Sequence, residues 1–205
     1  MNDPATTKLL DRAAHDDGTA VGELMALHRF RIRKMLAIRM HPNLSSRVDP
    51  SDVVQEALIE ASRQLPQYLE HRRIGFYPWL RDVALNCLIQ QHRRHVLAAK
   101  RSTKREQRQS IGLSNESCMD LAGRLIYSGT SPSGQAQRSE DRHRVTRALE
   151  QLADEERELL VMKYLEELTA AEICEVLGVT ERTVWRRHAH AIERLGWLLE
   201  EARED

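Results

Sequence analysis

Leu168 to Leu195 reads LTAAEICEVLGVTERTVWRRHAHAIERL. Thr169 and Glu172 have the spacing of a capping box, which starts a helix. Ala171, Ile173, Val176 and Leu177 give that helix one apolar face. Gly178 falls where a helix ends in a left-handed turn that glycine adopts without strain. Thr180 then caps a second helix, which carries Val184, Ala191, Ile192 and Leu195 inward. Two helices joined by a tight turn around a glycine make a helix-turn-helix, whose second helix is shaped for a DNA major groove. Its outward residues suit that use. Arg182, Arg186 and Arg187 reach base edges or phosphates, Thr183, His188 and His190 add hydrogen-bonding groups, and the two cap residues Thr169 and Thr180 complete the candidate DNA-binding set. The alternative is a helical hairpin with a solvated basic face. Cap, glycine, second cap and basic face in register favour DNA.

Outside that stretch, composition narrows the class. The chain has 205 residues, 41% of them hydrophobic, 4% aromatic and 30% charged. With few β-branched runs and no period-two alternation, this is the profile of an all-α soluble protein. Cys87, Cys118 and Cys174 are odd in number and far apart, so neither a disulfide framework nor a zinc ribbon is indicated. Cys87 and Cys174 sit on apolar faces as small core residues. A signal-peptide core and a membrane-length apolar run are both missing, which points to the cytoplasm.

The formal net charge is zero, yet it is unevenly spread. Residues 138–205 carry a net −6 and residues 1–137 a net +6. Arg72 to Arg108 holds ten Lys or Arg and only two acids, Asp82 and Glu106. Neutrality overall therefore hides a basic surface suited to a polyanion.

In chain order, Thr7–His15 reads as a short helix and Thr19–Met40 as a longer one, with His28 on its apolar seam as a helix residue rather than a ligand. His41–Val48 is expected as a loop. Asp49 caps the next helix, Pro50 suits its first position and Asp52 favours the positive dipole end. Val53, Val54, Ala57, Leu58, Ala61 and Leu65 form its core seam. The opposite stripe of Asp52, Gln55, Glu56, Ile59 and Arg63 is either a solvated face or a partner surface. The outward isoleucine among acids supports the second. After Pro66 a loop, QYLEHRRIGF, leads to a helix opening at Pro78 that turns Leu80, Val83, Ala84, Cys87 and Leu88 inward. Trp79, Asp82, Asn86, Gln90, Arg93 and Arg94 line another side. Indole, amides and arginines together stack on bases, read edges and hold phosphates. For Trp79 a core position near the helix start is an equal alternative.

The architecture expected is two helical domains joined by a flexible linker. They are an N-terminal domain at 1–109, a Ser/Gly-rich linker at 110–137 in which Leu121, Leu125 and Ile126 make one docking turn, and a helix-turn-helix domain at 138–205. The second domain opens with Val145, Ala148, Leu149 and Leu152 on one helix. Asp154 then caps another bearing Leu159, Leu160 and Tyr164, and Trp197, Leu198 and Leu199 extend the last.

DPSDVVQEALIEASRQLPQY (49–68), FYPWLRDVALNCLIQQHRR (76–94), a variable linker and LEQLADEERELLVMKYLEELTAAEICEVLGVTERTV (149–184) together resemble an extracytoplasmic-function sigma factor. That is the two-domain branch of the bacterial sigma-seventy superfamily. The resemblance covers about 20–108 and 138–198. It implies that Asp52, Gln55 and Glu56, with Ile59 beside them, contact core RNA polymerase through a DxxDxVQE segment. It further implies that the helix of Trp79, Leu80, Ala84 and Asn86, with Gln90, Arg93 and Arg94, reads the promoter −10 strand. The loop from Gln67 to Phe76, including Arg72 and Arg73, would capture an unstacked base. Residues 168–195 would read the −35 duplex, and the linker would thread toward the polymerase cleft. The sequence departs from the family at Trp185, Arg186 and His188, so promoter sequence does not carry over, and at Ala153, where a proline is common.

The function implied is promoter selection and −10 opening for core polymerase, without catalysis or a cofactor and with an anti-sigma protein as a further partner. A free-standing helix-turn-helix regulator is the alternative. A helical hydrolase using some of the nine histidines lacks any HExxH or paired-carboxylate motif.

Overall fold

In the computed structural model, residues 3–40, 44, 48–94, 115–127 and 135–204 are described. They form α-helices and turns, with no strand among them. The chain divides into two units, Met1–Gly112 and Leu113–Asp205.

Four helices build the first unit: α1 (Pro4–Ala13), α2 (Gly18–Arg39), α3 (Pro50–His71) and α4 (Phe76–His92). Each of the first three starts on an aspartate whose carboxylate accepts orphan backbone N–H groups: Asp3, Asp17 and Asp49. Central to the unit is α2, which packs on all three others. Leu24, Ile32, Met35 and Leu36 of α2 meet Val53, Ala57 and Leu65 of α3 and Phe76, Leu80, Ala84 and Leu88 of α4 in one buried core. His28 lies inside it, its Nε2 2.9 Å from the Thr6 hydroxyl, which donates to Asp3. That chain ties the cap of α1 to the middle of α2, and the Thr6 hydrogen bond holds the Asp3 carboxyl below its usual range.

Several boundaries move from the sequence reading. α1 opens at Pro4, three residues early, because Asp3 caps it and Pro4 occupies the first position. α3 does not stop at Pro66 but runs on to His71. Tyr68 explains the continuation: it is buried, stacks on Trp79 at 4.6 Å, meets Phe76 at 5.7 Å, and donates its hydroxyl to the Ile74 carbonyl. The expected base-capturing loop therefore shrinks to Arg72–Gly75, with Gln67–His71 helical. α4 opens at Phe76 rather than Pro78, on Gly75. Of the expected loop His41–Val48, Leu44 is helical and buried, and most of the remainder lies outside the described residues.

The second unit holds α5 (Asn115–Tyr127), α6 (Gln135–Gln151) and α7 (Asp154–Leu160), a π-helical turn (Val161–Leu165), α8 (Ala170–Leu177) and α9 (Glu181–Glu204). α5 falls within the stretch expected as a linker. Its thirteen residues bury Cys118, Leu121 and Ala122 against α6 and the π turn. The Ser/Gly-rich flanks dominate the composition there and mask this short amphipathic repeat. The unit thus begins near 113 instead of 138. The rest of the expected linker, 110–114 and 128–134, lies outside the described residues, as does the basic run beyond Arg94.

Within the unit α9 crosses α6, α7 and α8. Val145, Leu149, Leu159, Leu160, Met162, Ile173, Val184, Ala191 and Leu195 are buried. Ala153, not Asp154, is the N-cap of α7. Alanine has no side-chain acceptor, so only half a capping box forms there: Glu156 accepts the Ala153 N–H at 3.2 Å.

Candidate nucleic-acid interface

Thr169 caps α8 as the sequence requires. Its hydroxyl accepts the Glu172 N–H at 3.2 Å, and Glu172 returns a bond to the Thr169 N–H at 2.9 Å. Gly178 follows at φ 64°, ψ 33°, the left-handed turn that redirects the chain. Thr180 opens α9, its Oγ1 3.4 Å from the Thr183 N–H and 3.0 Å from the Thr183 hydroxyl. The second helix is long, 24 residues, because its C-terminal half also closes the unit's core through Leu195 and Leu198. Two details of the inward face differ from expectation. Ala171 is exposed and Ile192 is more than a third exposed, since α8 and α9 bury narrower stripes than full amphipathic faces.

Arg182, Arg186 and His190 recur every four residues, so they share one exposed stripe of α9, with Arg187 beside it. None of these arginines is in an ion pair among the described residues. His190 is held: its Nδ1 lies 2.8 Å from the Glu156 carboxylate. The threonine hydroxyls are engaged as caps, which ties Thr169 and Thr180 to local structure. Trp185 lies on the flank. It donates its indole N–H to Glu181 at 3.2 Å, and the Lys163 ammonium sits 5.2 Å from its ring centre. His188 turns toward the π turn, 3.0 Å from the Tyr164 hydroxyl. Burial, and then Lys163, lower its pKa from the ordinary 6.5. A histidine thus occupies an inward, usually apolar place by staying neutral and finding a tyrosine.

In the first unit, Asn86, Gln90 and Arg93 are exposed on one stripe of α4. Trp79 is half-buried at its edge, held between Tyr68 and Phe76 (5.4 Å). It therefore serves the aromatic cluster while leaving part of the ring accessible. Arg73 is exposed. Arg72 is committed elsewhere: at φ 28° it ends α3 and pairs with Asp11 at 3.2 Å and the Leu10 carbonyl at 3.3 Å.

On α3, Asp52, Gln55 and Ile59 are exposed, the isoleucine at 46%. Glu56 is half-buried. It pairs with Arg94 at 3.5 Å and accepts a hydrogen bond from Gln91. Sequence reasoning placed Glu56 and Arg94 in separate sites. The structure joins them across the α3–α4 contact, which no local spacing could signal. Cys87 lies behind this pair, its thiol pushed up to about 11 by burial and then by Glu56 and Glu60. Among the described residues no cluster of His, Cys, Asp or Glu is arranged to hold a metal, and no helix is long and apolar enough to cross a membrane.

Residues 142–195 match the model of the family "Sigma-70, region 4". A curated relative, the "Probable RNA polymerase sigma factor RfaY" of Xanthomonas campestris pv. campestris, is 25% identical over 144 residues, covering 68% of this chain and 31% of its own length. The chain thus spans under a third of that relative. Among solved structures, CnrH, determined in complex with the cytosolic domain of CnrY, shares the fold with a TM-score of 0.55. It is 20% identical, and the match covers 97% of this chain and 99% of that one. Residues 142–195 thus carry a domain similar to region 4 of the Sigma-70 family around the helix-turn-helix, and the chain shares its helical fold with CnrH.

Proposed function

We propose that this chain directs bacterial core RNA polymerase to specific promoters and helps open the −10 element. The observation that carries the reading is the region 4 helix-turn-helix, whose exposed stripe of Arg182, Arg186 and His190 is free to meet a duplex. Helix α9 enters the −35 major groove, where arginine reads guanine and the threonine-capped helix ends approach phosphates. On α4, Asn86, Gln90 and Arg93, with the accessible part of Trp79 and with Arg73, hold the unpaired −10 strand by stacking and phosphate contacts. Arg72 contributes by fixing the loop rather than by touching DNA. Asp52, Gln55, Glu56 and Ile59 form the polymerase-facing stripe of α3. A protein that occludes the chain, of the anti-sigma kind, completes the set of partners. The solved CnrH was itself captured in a complex with another protein, CnrY. The chain works in the cytoplasm and contributes binding energy, not catalysis.

Run-off transcription from randomised templates with purified core polymerase tests this. Core plus the chain should select and transcribe a discrete promoter class, and Asp52→Arg with Glu56→Arg should lose that selection while keeping the helical content. Sequence-specific duplex binding without core, and no core-dependent transcription, would instead identify a free-standing regulator.

A further inference from the structure

Glu156 and His190 are 34 residues apart, yet their side chains meet. Glu156 is the third residue of α7. One carboxylate oxygen accepts the Ala153 N–H at 3.2 Å, and the other lies 2.8 Å from Nδ1 of His190. The glutamate side chain is 19% exposed and the imidazole 69% exposed. The carboxylate is thus fixed by the helix cap, while the ring stands out on the stripe of Arg182 and Arg186.

We infer that Glu156 is a positioning residue for promoter specificity, acting through His190; the inference rests on α9 being the −35 reader. An ionised carboxylate only accepts hydrogen bonds, so the ring nitrogen facing it must carry the proton. In the neutral imidazole the outward Nε2 is then a bare acceptor, because the bond made by one nitrogen sets the state of the other. Adenine N6 and cytosine N4 offer donors in the major groove, whereas guanine and thymine offer acceptors there. His190 held this way favours adenine or cytosine at the position it faces. Glu156→Gln reverses the logic while preserving the cap, since glutamine serves equally at the third helical position. Its carbonyl keeps the Ala153 N–H and its NH₂ turns to His190, so Nδ1 becomes the acceptor and Nε2 the donor.

Ring ¹⁵N correlation spectra of the full chain at mildly alkaline pH read the proton directly, without DNA. The wild-type ring should be protonated on Nδ1, and the Glu156→Gln ring on Nε2. Holoenzyme selection from templates randomised at −35 reads the consequence. One position should move from adenine or cytosine toward guanine or thymine by about threefold to tenfold, the worth of one hydrogen bond. In a His190→Ala background, Glu156→Gln should change nothing. A wild-type ring protonated on Nε2 overturns the inference, and this spectrum decides even if the variant fails to fold. So does an unchanged base preference after the proton has moved. Arg186→Ala separates the two levels: if it too leaves −35 selection untouched, the reading of α9 fails. If it alters selection while Glu156→Gln is silent, only this inference falls.

Discussion

Gly178 and His188 show how much of the helix-turn-helix rests on single residues. At φ 64° glycine pays no steric penalty, and a β-carbon added there would meet nothing within 4 Å. Any cost of Gly178→Ala is therefore backbone strain, about 1–2 kcal/mol for an L residue in the left-handed region. Thermal or denaturant unfolding of the second unit should register that loss. An unchanged midpoint would mean that the turn relaxes into another conformation. His188 makes a pH prediction. Its neighbours are the Lys163 ammonium and Tyr164 hydroxyl of the π turn, the Trp185 ring on its own helix, and apolar Leu159, Ala170, Ile173 and Val184. With the folded pKa below 6.5, the unfolded chain binds the proton more readily. The neutral histidine's contribution is complete above the unfolded value and declines as pH falls through it toward the folded one. The second unit should lose stability as the pH falls through the ordinary histidine value of 6.5. His188→Leu should flatten that part of the profile, and an equal slope in both proteins would remove His188 as its source.

At the scale of the element, α3 continues through a proline that ought to end it. Pro66 brings no N–H to the helix and sits exposed in its interior, which costs about 3 kcal/mol against alanine. The aromatic cluster of Tyr68, Phe76 and Trp79, which lies beyond it, offsets that cost. Pro66→Ala should accordingly raise the stability of the first unit by about 1–3 kcal/mol, less than the full propensity difference because the unfolded chain also gains freedom. A fall in the denaturant midpoint would show that proline at position 66 is needed to seat Tyr68. The same helix marks the limit of local reading. Its start, its core seam and its outward Asp52, Gln55 and Ile59 follow from caps and periodicity. Its end does not, because Tyr68 is recruited by residues on the next helix. Arg72 is similar: a basic loop residue by sequence, it is held by Asp11 from the first helix. Contacts between elements, such as Glu56 with Arg94 or Glu156 with His190, leave no trace in spacing.

Across the whole molecule, each unit has its own core, and the division between them depends on α5. Sequence composition assigned 110–137 to a linker because serine and glycine surround a short apolar repeat. Yet Leu121 and Ala122 are fully buried, Cys118 nearly so, and Arg124 reaches the Tyr164 carbonyl at 2.9 Å beside the π turn. Removing α5 would uncover the α6 and π-turn surfaces it covers and leave their apolar side chains in water. A fragment from Leu113 to Asp205 should therefore unfold cooperatively, while one from Arg138 to Asp205 should be much less stable or collapse without fixed packing. Leu121→Ala in the full chain isolates the effect without truncation. Deleting a fully buried leucine side chain costs about 2–5 kcal/mol, and here the loss should fall on the unfolding of the second unit alone. Equal stability of the two fragments, together with a neutral Leu121→Ala, would return α5 to the linker and restore the boundary at 138.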